Sequence, residues 1–199
     1  MTVAFVVGNG TSRKSINLNQ LKKYGKFYGC NALYRDYTPD YLVAVDVKMI
    51  LEINQAKWQM NNEVWTNPNK QYHGMQGFHM FQPSKGWSSG PTALWLASTH
   101  RHDTIYILGF DFHGLQDKQG NRSRVNNLYA GTHNYKRESE PATYFGNWER
   151  QTTSTCEAHA QINYIRVVED KDDFVPKHLK KCNNLSHITV SEFKRYYDF

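Results

Sequence analysis

Thr2-Val3-Ala4-Phe5-Val6-Val7-Gly8-Asn9-Gly10-Thr11-Ser12 is the stretch on which the reading of this chain turns. Its first six residues form a short run rich in β-branched and aromatic side chains, and the run breaks at a glycine pair. That pattern reads as a buried strand followed by a tight turn. Glycine at positions 8 and 10 leaves no side chain between the backbone and a ligand. Successive N–H groups in such a turn can face a phosphate, and the Asn9 amide can both donate and accept. The alternative is a plain structural turn. The third glycine of a dinucleotide fingerprint is missing, and no Gly-Lys-Ser/Thr of a Walker loop follows.

Working outward, further strands are expected at Phe27–Cys30, Tyr41–Val45, Val64-Trp65, Phe78–Phe81, Thr104–Leu108 and His187–Val190. Between them, helical spacing marks Ser15–Lys23, Val47–Ala56 and Thr92–Thr99, the last with Pro91 suited to the first helical position. A long helix is expected from Ala142 to about Ile165, a basic helical piece at Pro176–Lys181, and a short terminal helix Glu192–Tyr197 capped by Ser191. The polar segment 114–141, with glycines at 114, 120 and 131, reads as a lid-like surface excursion. Strands alternating with helices imply an α/β fold: a Rossmann-like, mostly parallel sheet with helices on both faces. Residues 1–199 are read as one domain.

Composition narrows the function classes. With 39% hydrophobic and 21% charged residues the chain is neither a disordered nor a membrane composition. No stretch approaches the roughly 18–20 apolar residues of a membrane span. The N-terminus lacks the basic region and cleavage site of a signal peptide. Three scattered cysteines without a CxxC suit free thiols in a reducing, cytoplasmic setting. The net charge of +6 is diffuse; it suits an anionic ligand and leaves nucleic acid open, although no zinc finger, RRM signature or helix-turn-helix is present. The nine histidines form no zinc-binding pattern.

In a parallel sheet, ligands bind beyond the carboxyl ends of the strands. Asn9, Asn31, Asp46, Asp111 and His113 all fall at predicted strand ends. Ser88-Ser89-Gly90 precedes a buried helix, where Ser89 and Gly90 are placed either to meet an anion or to cap the helix. Asp46 and Asp111 suit a ribose hydroxyl, a divalent metal or a backbone turn. His113 is the best acid–base candidate, because histidine titrates near neutrality; a surface imidazole is the competing reading.

Taken together, Val6-Val7-Gly8-Asn9-Gly10-Thr11-Ser12, Cys30-Asn31, Ser88-Ser89-Gly90 and Ile105-Tyr106-Ile107-Leu108-Gly109-Phe110-Asp111-Phe112 resemble the bacterial sialyltransferases that use CMP-sialic acid. They also resemble a related group containing archaeal pterin pyrophosphokinases. The resemblance spans roughly residues 3–147. It implies a glycosyltransferase-A-like variant of the Rossmann-like sheet, a metal-independent reaction and no cofactor, with Asn9, Asn31 and Ser89 contacting a nucleotide or its phosphate; Gly8, Gly10 and Ser12 are further candidate ligand-binding residues beside them. The family's phosphate-assisting tyrosine falls on His113. Its catalytic histidine, in a Tyr-x-Gly-His segment, falls on Asn147 of Tyr144-Phe145-Gly146-Asn147. Asparagine takes no proton at neutral pH, so His133 or His113 would have to replace that base. Compact relatives of this kind are frequent in viral and phage genomes.

Two readings follow. The first is a transferase acting on a nucleotide-activated donor, a nucleotide sugar above all, with an acceptor the sequence does not name. The second is a nucleotide or nucleotide-sugar binding protein without catalysis.

Overall fold

The computed structural model describes residues 1–172 and 174–199. Ten strands are present among them: β1 Val3–Val7, β2 Lys26–Cys30, β3 Tyr41–Val43, β4 Val64–Thr66, β5 Phe78–Met80, β6 Thr104–Leu108, β7 Leu115–Gln116, β8 Arg122–Arg124, β9 Asn163–Val168 and β10 Leu185–Thr189. The helices are α1 Leu18–Leu21, α2 Val47–Gln55, α3 Ser89–Thr99, α4 Gly146–Ala158 and α5 Val190–Tyr196.

Eight strands form one sheet in the order β10-β9-β6-β1-β2-β3-β4-β5, and β7 pairs with β8 in a separate hairpin. Every pair in the large sheet is parallel. The fold is therefore α/β and Rossmann-like, as the alternation of elements predicts. β1 lies inside the sheet, with β2 to β5 running away on one side and β6, β9 and β10 on the other. The strand order reverses between β1 and β6, which opens a crevice beyond their carboxyl ends.

The period of two along β1 explains its place. Phe5 and Val7 point into one core with Met49, Ile50 and Ile53 of α2 and Phe193 of α5. Ala4 and Val6 point into the other with Ala93, Leu94 and Ala97 of α3 and Cys156 of α4. A strand buried on both faces needs an unbroken apolar run, and β1 has one. The cysteines are free and buried.

Four expectations are corrected. The long helix to Ile165 ends at Ala158, and Asn163–Val168 is a strand instead. It is sandwiched between β6 and β10, and this double lateral pairing outweighs any local helical spacing. The basic piece near Pro176 is a single 3-10 turn, Leu179–Lys181. The terminal helix is capped by Thr189, which forms a reciprocal capping box with Glu192; Ser191 instead bonds Asp170. Pro91 occupies the third helical position rather than the first, because α3 begins at Ser89.

Candidate functional site

A cleft of about 460 Å³ lies at the β1/β6 reversal. Of the residues singled out in the sequence, Asn9, Gly10, Asn31, Asp46, Ser89, Asp111, His113 and Asn147 line it. Gly8, Ser12, Gly90 and His133 do not line it.

The glycine turn works differently from the expectation. Gly8 N–H donates to Leu108 O at 2.8 Å and Gly10 N–H to Gly109 O at 3.0 Å. Thr11 N–H donates to Asn126 Oδ1 at 2.9 Å, and Ser12 N–H to Asp111 Oδ2 at 3.2 Å. These four groups are spent inside the protein and do not form a phosphate nest. The glycines are required for a different reason. A Cβ at Gly8 would stand 2.7 Å from Gly109 O, and one at Gly10 would stand 2.6 Å from the same oxygen and also meet the Asp111 carboxylate. The loops after β1 and β6 therefore lie backbone to backbone.

Asn9 and Asp111 are both drawn into this scaffold. Asn9 donates to Cys30 O at 3.0 Å and accepts from Arg13 at 3.1 Å. The Asp111 carboxylate accepts from Ser12 N–H, from the Ser12 hydroxyl and from Asn126 Nδ2. Asn126 in turn holds His113 O at 3.0 Å. Arg166 of β9, 1% exposed, sits beneath the β6 loop. Its guanidinium donates to Phe110 O at 2.7 Å, Asp111 O at 3.0 Å and Phe174 O at 3.0 Å. Burial pulls its pKa down to about 10, against the opposing pull of Asp111 and Asp172. Nothing in the sequence flagged Arg166 or Asn126, because each lies far along the chain from the loop it braces.

His113 is held at both ring nitrogens, by Gly114 O at 3.0 Å and by Asp172 Oδ2 at 2.7 Å. Both ring nitrogens are therefore already engaged within the protein. Burial alone would raise the Asp172 carboxyl, but hydrogen bonds from Phe174 N–H and His113 and the charges of His113 and Arg122 hold it below its ordinary value. His133 is exposed and offers only its carbonyl, which Arg35 binds at 2.9 Å. Asn147 is likewise exposed at the start of α4 and accepts from Arg150 at 2.6 Å. Gly90 is buried under Trp148, whose ring a Cβ would meet at 2.8 Å.

Other polar groups on the cleft remain uncommitted. Asn31, in the left-handed region at φ 51°, presents a buried Oδ1 with no hydrogen-bond partner among the described residues. The N-terminus of α3 is not capped by Ser88. Ser89 N–H has no acceptor among the described residues, and Ser89 Oγ accepts from Val45 N–H at 3.0 Å, leaving its own proton free. Asp46 makes no side-chain hydrogen bond to its helix. The excursion supplies one wall through Tyr135 and Lys136, and Phe112, Tyr144, Phe145 and Trp148 supply aromatic surface. Among the described residues, no three His, Cys, Asp or Glu side chains cluster as metal ligands, and no helix is long and apolar enough to cross a membrane.

Comparison with protein-family models, with characterised proteins and with solved structures found no match.

Proposed function

We propose that the cleft holds a nucleotide-activated donor, a nucleotide sugar above all, and that the protein transfers the activated group without a metal. The observation that carries this reading is the buried, unpartnered Asn31 Oδ1 beside the uncapped N-terminus of α3, both at the sheet reversal. A buried acceptor without a donor is costly until a ligand N–H or O–H fills it; a base edge or a sugar hydroxyl offers one. Free N–H groups at a helix start favour a phosphate, and charge developing on a departing phosphate would be stabilised there. The aromatic wall suits the flat face of a base or sugar. The volume is in the range of small-molecule sites.

A binding protein without turnover is the second reading. His113 with both nitrogens engaged, and Asn147 where the resembled family has histidine, favour it.

Thermal unfolding against a panel of nucleotides and CMP-, UDP- and GDP-linked sugars tests the shared part of both readings. A ligand at a hundredfold its Kd adds ~2.7 kcal/mol, which for a chain of this size raises the midpoint by roughly 5–10 °C. No shift with any member of the panel refutes the nucleotide site. Release of free nucleotide from a bound donor then separates transferase from binder.

A further inference from the structure

Transfer to a hydroxyl requires a group that takes up the acceptor's proton, and most titratable side chains on the cleft are already occupied. Asp111 accepts three hydrogen bonds from the scaffold. His113 has both ring nitrogens engaged, one by Gly114 O and the other by Asp172 Oδ2. Burial pushes the Cys30 thiol up to about 12 and the Tyr135 phenol upward as well. Lys136 is a cation that already donates toward Pro141 O. Asp46 differs from all of these. It is exposed at the cleft, follows β3 and occupies the cap position of α2. An aspartate there ordinarily turns its carboxylate back onto the helix N–H groups, yet this one makes no such bond. Of the two carboxylates lining the cleft, it alone has both oxygens uncommitted among the described residues. Its neighbour Val45 bonds Ser89 Oγ at 3.0 Å, which ties Asp46 to the start of α3.

We infer that Asp46 is the general base of the transfer, an inference that rests on the donor site proposed above. The acceptor oxygen attacks the activated carbon of the donor while its proton passes to the Asp46 carboxylate. The bond from that carbon to the phosphate oxygen breaks, and its electron pair leaves on the phosphate, which faces the N-terminus of α3. Asp46 then releases the proton to solvent. Without an acceptor, water takes the same place and the donor is slowly hydrolysed.

The test measures binding and release of free nucleotide with CMP-, UDP- and GDP-linked sugars for the intact wild-type chain and for Asp46→Asn. The exposed, isosteric change should leave the melting midpoint in place. The expected result is donor affinity within about threefold of wild type and hydrolysis slowed by ~100-fold or more, the usual contribution of a general base. Partial recovery of hydrolysis in Asp46→Ala on adding formate is expected as well. Wild-type hydrolysis in the Asn variant overturns the inference and leaves the donor site standing. Lost donor binding in that variant also overturns it, since Asp46 would then hold the ligand. A wild-type protein that binds a donor but never releases nucleotide overturns it in favour of the binding reading. A wild-type protein that binds none of these sugars refutes the donor site itself, and the base role with it.

Discussion

Arg166→Met is expected to be the most damaging single change outside the apolar core. The guanidinium satisfies three backbone carbonyls, at Phe110, Asp111 and Phe174, and stands 5.1 Å from the Phe112 ring centroid. Methionine fills much of the volume but donates nothing. Each buried acceptor left without its donor costs about 1–3 kcal/mol, so the gross loss is roughly 3–9 kcal/mol. Removing a buried charge returns several kcal/mol of desolvation, which leaves a net destabilisation of ~3 kcal/mol. For a chain of this length that lowers the melting midpoint by roughly 6–12 °C. Lysine keeps the charge without the planar fork that spans three carbonyls, so Arg166→Lys should fall close to methionine rather than to wild type. Calorimetry or urea unfolding of the three proteins decides the matter. A methionine variant that melts within about 2 °C of wild type would refute the argument that this side chain braces the β6 loop.

Gly10→Ala inserts a methyl group 2.6 Å from Gly109 O and against the Asp111 carboxylate; a loss of about 1–3 kcal/mol is expected in urea unfolding at unchanged m, and an unchanged midpoint would show that the two loops have room to part. Asn31→Gly removes the unpartnered Oδ1 and suits the left-handed backbone at φ 51°, so stability should fall by no more than about 0.5 kcal/mol while affinity for the bound nucleotide drops at least tenfold by titration calorimetry. Equal affinity would remove Asn31 from the site. His187 lies opposite Arg166 in the β9–β10 register, and burial followed by that positive neighbour lowers its pKa to about 4. The unfolded chain therefore takes up this proton first as pH falls from about 6.5. The contribution of His187 to stability is whole above that pH and is lost progressively down to about 4. Because the ring is only half-buried, the effect is about 1 kcal/mol, and His187→Gln should flatten the melting midpoint over that window relative to wild type.

Much of the architecture was legible from local pattern. The apolar runs at Val3–Val7 and Thr104–Leu108 carry their own evidence, because a strand buried on both faces leaves no room for polar residues. Asn31, Asp46 and Ser89 could be placed on the cleft from their positions at the ends of predicted elements, since in a parallel sheet those ends share one edge. β9 escaped notice because its first half, Asn163–Ile165, falls within the long helix expected from Ala142, and the charge of Arg166 in mid-strand hides the rest until its three carbonyl partners are in view.

By itself the sequence determined the alternation of strands and helices, the turn after β1 and the residues that crowd one edge of the sheet, because periodicity, β-branching and glycine act over a few neighbouring residues. Only the tertiary structure decided which of those residues are free to meet a ligand. Gly10, Thr11, Ser12, Asp111 and His113 carry the right groups, but partners brought close by folding, among them Gly109, Asn126 and Asp172, already engage them. A hydrogen-bonding group can serve a ligand only with what the fold has not used, and at this cleft that remainder is found at Asn31, Asp46 and the start of α3.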